Sequence, residues 1–157
     1  MPLIQWLEGT SFDAAIRNSV PGIRIAEIVH LIGLALFGGT TLLLNLTLFG
    51  FGPPRPSLSR IARQLLPWTV AGLVIMLLSG ALLFLSSPTR FYENPALRVK
   101  IGILVPAMAF QFTIHRKLSL SDPPAAPRMA ALVAGISTLL WIGAGFAGKA
   151  IGPFAVQ

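Results

Sequence analysis

An all-α integral membrane protein, a four-transmembrane-helix bundle with an N-terminal amphipathic interfacial helix, is the fold class that this chain predicts, on three observations. Four apolar runs, at 25–49, 67–85, 96–114 and 130–151, occupy most of the 157 residues. Each matches the roughly 20 residues that cross a hydrocarbon core of about 30 Å at 1.5 Å per residue. The composition agrees: 54% of residues are hydrophobic and 11% charged, with a mean hydropathy of +0.77, whereas soluble domains carry about 25% charged residues. Finally, Glu27, His30, Asn45, Lys100, Gln111, His115 and Lys149 lie within the runs or at their ends. An ionisable group at membrane depth costs about 2.5–3.5 kcal/mol on insertion scales, so these positions are the first candidates for function.

The whole of 1–157 reads as a single membrane domain. Residues 3–19 set Ile4, Leu7, Phe12, Ala15 and Ile16 against Gln5, Glu8, Asp13 and Arg17 at near-helical spacing, the pattern of a helix lying on the membrane with Trp6 as its anchor. A secretory signal is not expected there, because the segment carries two acids and its first basic residue is Arg17. Pro21 and Gly22 turn the chain into the first span. Loop 50–66 holds Pro53, Pro54 and Pro56 with Arg55, Arg60 and Arg63. Loop 86–95 carries the interfacial aromatics Phe91 and Tyr92, and loop 116–128 has a Pro-rich centre at 122–127.

An even number of spans puts both termini on one side. Loops one and three carry Arg55, Arg60, Arg63, Arg116, Lys117 and Arg128 against the single acid Asp122, so they are expected on the cytoplasmic side of a bacterial inner membrane, with both termini periplasmic. The formal charge of +7 reflects this topology and contact with anionic headgroups. No basic stripe with interleaved aromatics suggests nucleic acid. The absence of cysteine excludes disulfides, thiolate metal sites and iron–sulfur clusters.

Small residues mark the helix contacts. Ala144, Gly148 and Gly152 recur at four-residue spacing beside Gly143 and Ala147, and Gly72, Met76 and Gly80 share a stripe on the second span. These stripes serve a compact bundle or a homodimer. Pro106 is expected to kink the third span. No internal repeat supports an inverted-repeat transporter.

At 100° per residue, Glu27, His30, Phe37, Thr41 and Asn45 fall on one stripe of the first span, and Lys100, Ala107, Gln111 and His115 on one stripe of the third. Depth divides them into an outer charged cluster of Glu27, His30, Lys100 and Lys149 and an inner polar cluster of Asn45, Gln111 and His115. His115 lies about 22 Å along the helix from Lys100, so His30 and His115 are not expected to ligate one haem iron. A haem held by a single histidine, with or without Lys100 as a weaker second ligand, or a site shared between protomers, stays open. His30 followed by Gly33, Gly38 and Gly39 suits a span that makes room for a macrocycle.

Each residue also has a plainer role: His30 paired with Glu27 or Lys100, Lys100 and Lys149 snorkelling to headgroups, His115 as an interfacial residue before Arg116 and Lys117, Gln111 and Asn45 as interhelical hydrogen-bonding residues, and Trp68 and Trp141 as anchor and packing residues. Hydrolase and transferase signatures are absent: there are no paired carboxylates in the spans, no serine nucleophile with a placed histidine and no phosphate loop. Met76, Met108 and Met129 are scattered, which fits packing better than Cu(I) ligation.

The stretch from His30 through Gly33, Gly38, Gly39 and Asn45 to Gly50 resembles the first core span of small bacterial four-helix membrane proteins of the copper-resistance-D and membrane protoporphyrinogen-oxidase type, and more particularly an uncharacterised family with the same layout. Pro67 to Gly72, the Ser79-Gly80 turn and Asn94 to Lys100 are similar to that family's other recurring segments. The resemblance covers roughly 25–117. In the oxidase relatives an inward histidine of the first span and a lysine opening a later one matter for activity, with b-type haem implicated, and His30 and Lys100 occupy similar places. Asn45 and Thr47 stand where those relatives carry an acidic and a basic residue. The resemblance thus implies haem b or a related tetrapyrrole at an outer-leaflet site, serving electron transfer or oxidation, with His30 as the ligand of the haem iron, Lys100 beside it, and Glu27, His115 and Gln111 as secondary candidates. Expected partners are the lipid bilayer and either a second copy of the chain or a membrane redox partner. A non-enzymatic scaffold or accessory subunit is the alternative, and copper or small-ion handling the third reading.

Overall fold

The structure, a computed structural model, describes residues 20–51, 58–121 and 125–154. The amphipathic segment expected at 3–19 and the prolines of the first loop lie outside the described residues. Helix α1 (Val20–Phe49) is followed by α2 (Leu58–Leu85), the short α3 (Pro88–Glu93), α4 (Pro95–Phe110), a π-helical segment (Gln111–His115), α5 (Arg116–Ser119) and α6 (Pro127–Phe154); there is no strand among the described residues. Four stretches are long and apolar enough to cross a membrane: Pro21–Phe49, Leu58–Leu85, Pro95–Ser119 and Pro127–Ile151. Their apolar faces turn outward at Ile25, Leu31, Val105, Leu132, Leu139 and Phe146, all exposed in the isolated chain. This is the surface expected of helices solvated by lipid, where every backbone group is satisfied within the helix. The protein is an integral membrane four-helix bundle.

Local chemistry sets the helix ends. α1 stops at Gly50, whose φ of +98° lets Phe51 N–H reach Leu46 O at 2.9 Å and Gly50 N–H reach Thr47 O at 3.0 Å, a Schellman closure. α4 starts at Pro95 behind Asn94, whose Oδ1 accepts from Ala96 N–H at 2.9 Å while its Nδ2 donates to Ile151 O at 3.1 Å. One buried side chain thus caps α4 and ties it to the end of α6.

All four spans are longer than hydropathy suggests: α1 begins at Val20, so Pro21 and Gly22 lie in its first turn and not before it, and the extensions of the second and third spans carry charged residues. α2 begins at Leu58, nine residues before the expected start at Pro67, because Leu58 and Ala62 face the core while Arg60 and Arg63 stay exposed: the first turns are amphipathic, and Pro67 lies inside the helix. The third span runs through Pro106 without a break in helix and on to Ser119; the departure from α-helical bonding falls instead at Gln111–His115, where the chain is π-helical. Such π-turns re-aim side chains within an otherwise regular helix.

α1 is central, packing on α2 and α6, while α4 packs on α6 and α2 reaches the third span chiefly through α5. The α1–α2 crossing is set by two glycines. A Cβ on Gly72 would lie 2.6 Å from Phe37 N, and one on Gly33 2.8 Å from Met76 N, so backbone meets backbone there. Gly33 therefore makes room for α2 and not for a macrocycle, and nothing lies within 4 Å of a Cβ on Gly38 or Gly39. Along the bundle, Leu44, Leu48, Leu58, Ala62, Ala130 and Ala134 form an apolar cluster near the end remote from the termini. Phe37, Leu73 and Met76 form a second in mid-bundle, with Met108, Phe112 and Trp141 against it.

Candidate functional site

Beyond the mid-bundle cluster, towards the start of α1 and the end of α6, α2 and α4 part and leave a cavity of about 500 Å³. That is within the roughly 300–1,000 Å³ of cofactor and ligand pockets. His30 and Glu27 line its α1 wall, Gly80, Leu83 and Phe84 its α2 wall, Phe91 its α3 wall, and Lys100 and Gly148 the α4–α6 wall. The residues of the expected outer cluster are placed unequally: His30 and Lys100 are half-buried in the cavity, Glu27 is exposed on its rim, and Lys149 is exposed and does not line it.

Two glycines from the packing stripes make room for the two polar residues. A Cβ on Gly80 would come 3.2 Å from His30 Cε1, and one on Gly148 3.3 Å from Lys100 Nζ. These positions, not those following His30 on α1, open the site. His30 is oriented by Ser79. The Ser79 hydroxyl donates to Ile75 O at 2.6 Å, so at 3.1 Å from His30 Nδ1 it offers a lone pair and takes the Nδ1–H hydrogen bond. The tautomer that satisfies this partner carries its lone pair on Nε2. This is the arrangement of a metal-ligating histidine, whose second nitrogen donates to a neighbouring oxygen. The donor set therefore fits haem held by one histidine, with Leu83, Phe84, Phe91 and Leu97 as apolar walls.

The other polar cluster is assembled differently. His115 is 1% exposed and is no interfacial residue, although Arg116 and Lys117 directly after it are exposed. Its Nε2–H donates to Asn45 Oδ1 at 2.7 Å, and its Nδ1 accepts from Gln111 Nε2 at 3.3 Å. Asn45 Nδ2 in turn donates to Ser137 Oγ at 3.2 Å and Thr138 Oγ1 at 3.0 Å; Ser137 Oγ and Trp141 Nε1 both donate to Gln111 Oε1 at 3.3 Å. One consistent set of donors and acceptors links α1, the π-helical segment and α6, with both nitrogens of a neutral His115 engaged. Beside it Gln111, His115, Thr69 and Ser119 line a small cavity of about 30 Å³, room for about two waters, and Ser119 Oγ is buried without a protein partner. Asn45 lies 15 residues beyond His30 on α1, about 22 Å away, so the two histidines belong to separate layers.

Composition and spacing singled out His30, Lys100, Glu27, His115, Gln111 and Asn45. They did not single out Ser79, Ser137 and Thr138; the hydroxyls of Ser79 and Thr138 also bond a carbonyl of their own helix, so such residues carry little polar signature in an apolar run. Gly80 and Gly148 stood out only as packing residues. Among the described residues no group of three or more His, Asp or Glu side chains gathers at a metal-binding spacing.

Comparison with known proteins returned no curated protein and no solved structure that matches the chain. Residues 3–154 do match a defined protein family, and the match spans all four membrane helices and both polar clusters. The chain belongs to DUF6644, a family of unknown function.

Proposed function

We propose that the protein is a small redox protein of the bacterial inner membrane, binding b-type haem or a related tetrapyrrole in the cavity that His30 and Lys100 share, for electron transfer or oxidation at the outer leaflet. The observation that carries this reading is the His30 side chain: half-buried at membrane depth, fixed by Ser79 with its Nε2 lone pair unused, and facing a cavity of cofactor size. The cost of keeping an imidazole there is offset if Nε2 ligates a metal. A bound haem would supply one-electron chemistry; His30 would hold it, with Leu83, Phe84, Phe91 and Leu97 as apolar walls and the Lys100 ammonium beside it. The resemblance of the first and third spans to protoporphyrinogen-oxidase relatives supports the same pair of residues. The exposed Arg60, Arg63, Arg116, Lys117 and Arg128 at the opposite end favour that end as cytoplasmic, which puts the termini in the periplasm.

The test is titration of haem into the detergent-purified protein. Saturation at one haem per chain with a Soret band that His30→Ala abolishes is the expected result; a titration curve identical in the two proteins would overturn the reading. A membrane scaffold or accessory subunit, alone or as a homodimer, is the second reading, favoured by the internally satisfied network around His115. Its signature is a stoichiometric partner that still co-purifies with His30→Ala. Copper handling draws less support, since Met76 and Met108 pack around Phe37 and Met129 is exposed in the first turn of α6, away from the cavity.

A further inference from the structure

Among the described residues Lys100 is the one Lys or Arg that lines the terminal cavity, and it has neither a hydrogen-bond nor an ion-pair partner there. Glu27 lines the same cavity from the α1 wall, exposed, and forms no ion pair with it. The other ionisable group of its lining among the described residues is His30, on the α1 wall. The ammonium does not simply extend to the surface: it is folded against α6, with Nζ 3.3 Å and Cε 3.5 Å from where a Cβ on Gly148 would stand, and it is half-buried. A cation held at membrane depth without a counter-ion is costly, and the structure around it shows a space instead of a partner.

We infer that Lys100 binds the anionic group of the cavity's ligand, not its metal, and that the ligand is a carboxylate-bearing amphiphile. On the tetrapyrrole reading, on which this inference rests, the anion is a propionate of the macrocycle. His30 on the α1 wall then takes the centre of the ring system, and Lys100 on the α4–α6 wall takes its acidic edge, with Phe84, Phe91 and Leu97 covering the apolar face between them. Gly148 is part of the device, because any side chain there meets the Lys100 ammonium. The division of labour follows from chemistry: an ammonium has donors and no acceptor, while a neutral imidazole with Nδ1–H engaged offers one lone pair.

Metal-free porphyrins separate the two claims. Protoporphyrin IX and its dimethyl ester, with identical rings and opposite capacity to pair with Lys100, are titrated by fluorescence into the purified full chain in zwitterionic detergent, for wild type, Lys100→Met and Lys100→Arg. The expected result is about tenfold tighter binding of the acid than of the ester by wild type, a ratio retained by Lys100→Arg and reduced to near one by Lys100→Met. Equal binding of acid and ester by wild type would overturn the anion role while leaving the tetrapyrrole reading intact. Saturable binding of neither porphyrin would overturn both. Because the acid-to-ester ratio is read within each protein, a Lys100→Met chain that folds poorly does not decide the outcome. Repeating the wild-type titration with phosphatidylglycerol added distinguishes a lipid phosphate as the natural anion: displacement of the acid by that lipid, and not by phosphatidylcholine, would overturn the propionate assignment.

Discussion

His115 and His30 are both histidines at membrane depth, and their ring nitrogens separate their roles. His115 uses both, Nε2 on Asn45 and Nδ1 on Gln111, so it has no lone pair left for a ligand. His30 uses Nδ1 on Ser79. Replacing His115 by Ala leaves Asn45 Oδ1 and Gln111 Nε2 without their protein partner inside the bundle, which costs about 1–3 kcal/mol. His115→Ala is therefore expected to melt several degrees lower in detergent while its haem titration matches wild type. Ser79→Ala is expected to do the reverse: little change in melting, but haem affinity lowered roughly 10- to 100-fold, because the hydrogen bond that orients the ligand is gone. The sequence placed His115 beside Arg116 and Lys117 and so suggested an interfacial residue. The stripe of Lys100, Ala107, Gln111 and His115 pointed the other way, inward, and the structure follows the stripe because the third span continues to Ser119.

At the scale of elements, hydropathy revealed four spans and their order but not their ends. Arginine in a window reads as loop, yet Arg60 and Arg63 ride on the outside of α2 while Leu58 and Ala62 hold its inner face, so the helix outlasts the apolar run. Proline likewise marked the expected start of the second span at Pro67, yet Pro67 lies inside α2, and the third helix continues on both sides of Pro106. The glycine stripes were legible as contact positions, and which partner each meets was not: Gly72 meets the α1 backbone, whereas Gly80 and Gly148 meet the imidazole and the ammonium. The α1–α2 crossing leads to a direct comparison. Gly72→Val forces a Cβ to within 2.6 Å of Phe37 N, and the helices must separate; a loss of roughly 1–3 kcal/mol is expected. Gly39→Val, at a position with nothing within 4 Å, is expected to change stability by less than about 0.5 kcal/mol. Denaturant titration in micelles, followed by tryptophan fluorescence, reads both.

Taken as a whole, the molecule is layered: a cavity at the end with the termini, the apolar cluster of Phe37, Leu73 and Met76, the His115 network, and the apolar cluster of Leu44, Leu48 and Ala134. The polar side chains visible in the sequence as one stripe on α1 are thus split by a dry layer into an open site and a closed one. Phe37 is 1% exposed, with its ring edge-on to Trp141 at a centroid distance of 4.4 Å, an aromatic contact that seals the middle of the bundle. Proteoliposomes containing the protein are accordingly expected to show the same copper and monovalent-cation flux as empty vesicles, and a flux that depends on the protein would contradict the seal.

One layer is thus assigned to a cofactor and the other to holding the fold together. The deciding measurement is the dithionite-reduced minus oxidised absorption spectrum of the protein purified from haem-supplied cells, recorded for wild type, His30→Ala and His115→Ala. A Soret band and reduced α and β bands are expected in wild type and His115→Ala, with their loss in His30→Ala. Loss of the bands in His115→Ala with retention in His30→Ala, or no Soret band in any of the three, would contradict that assignment.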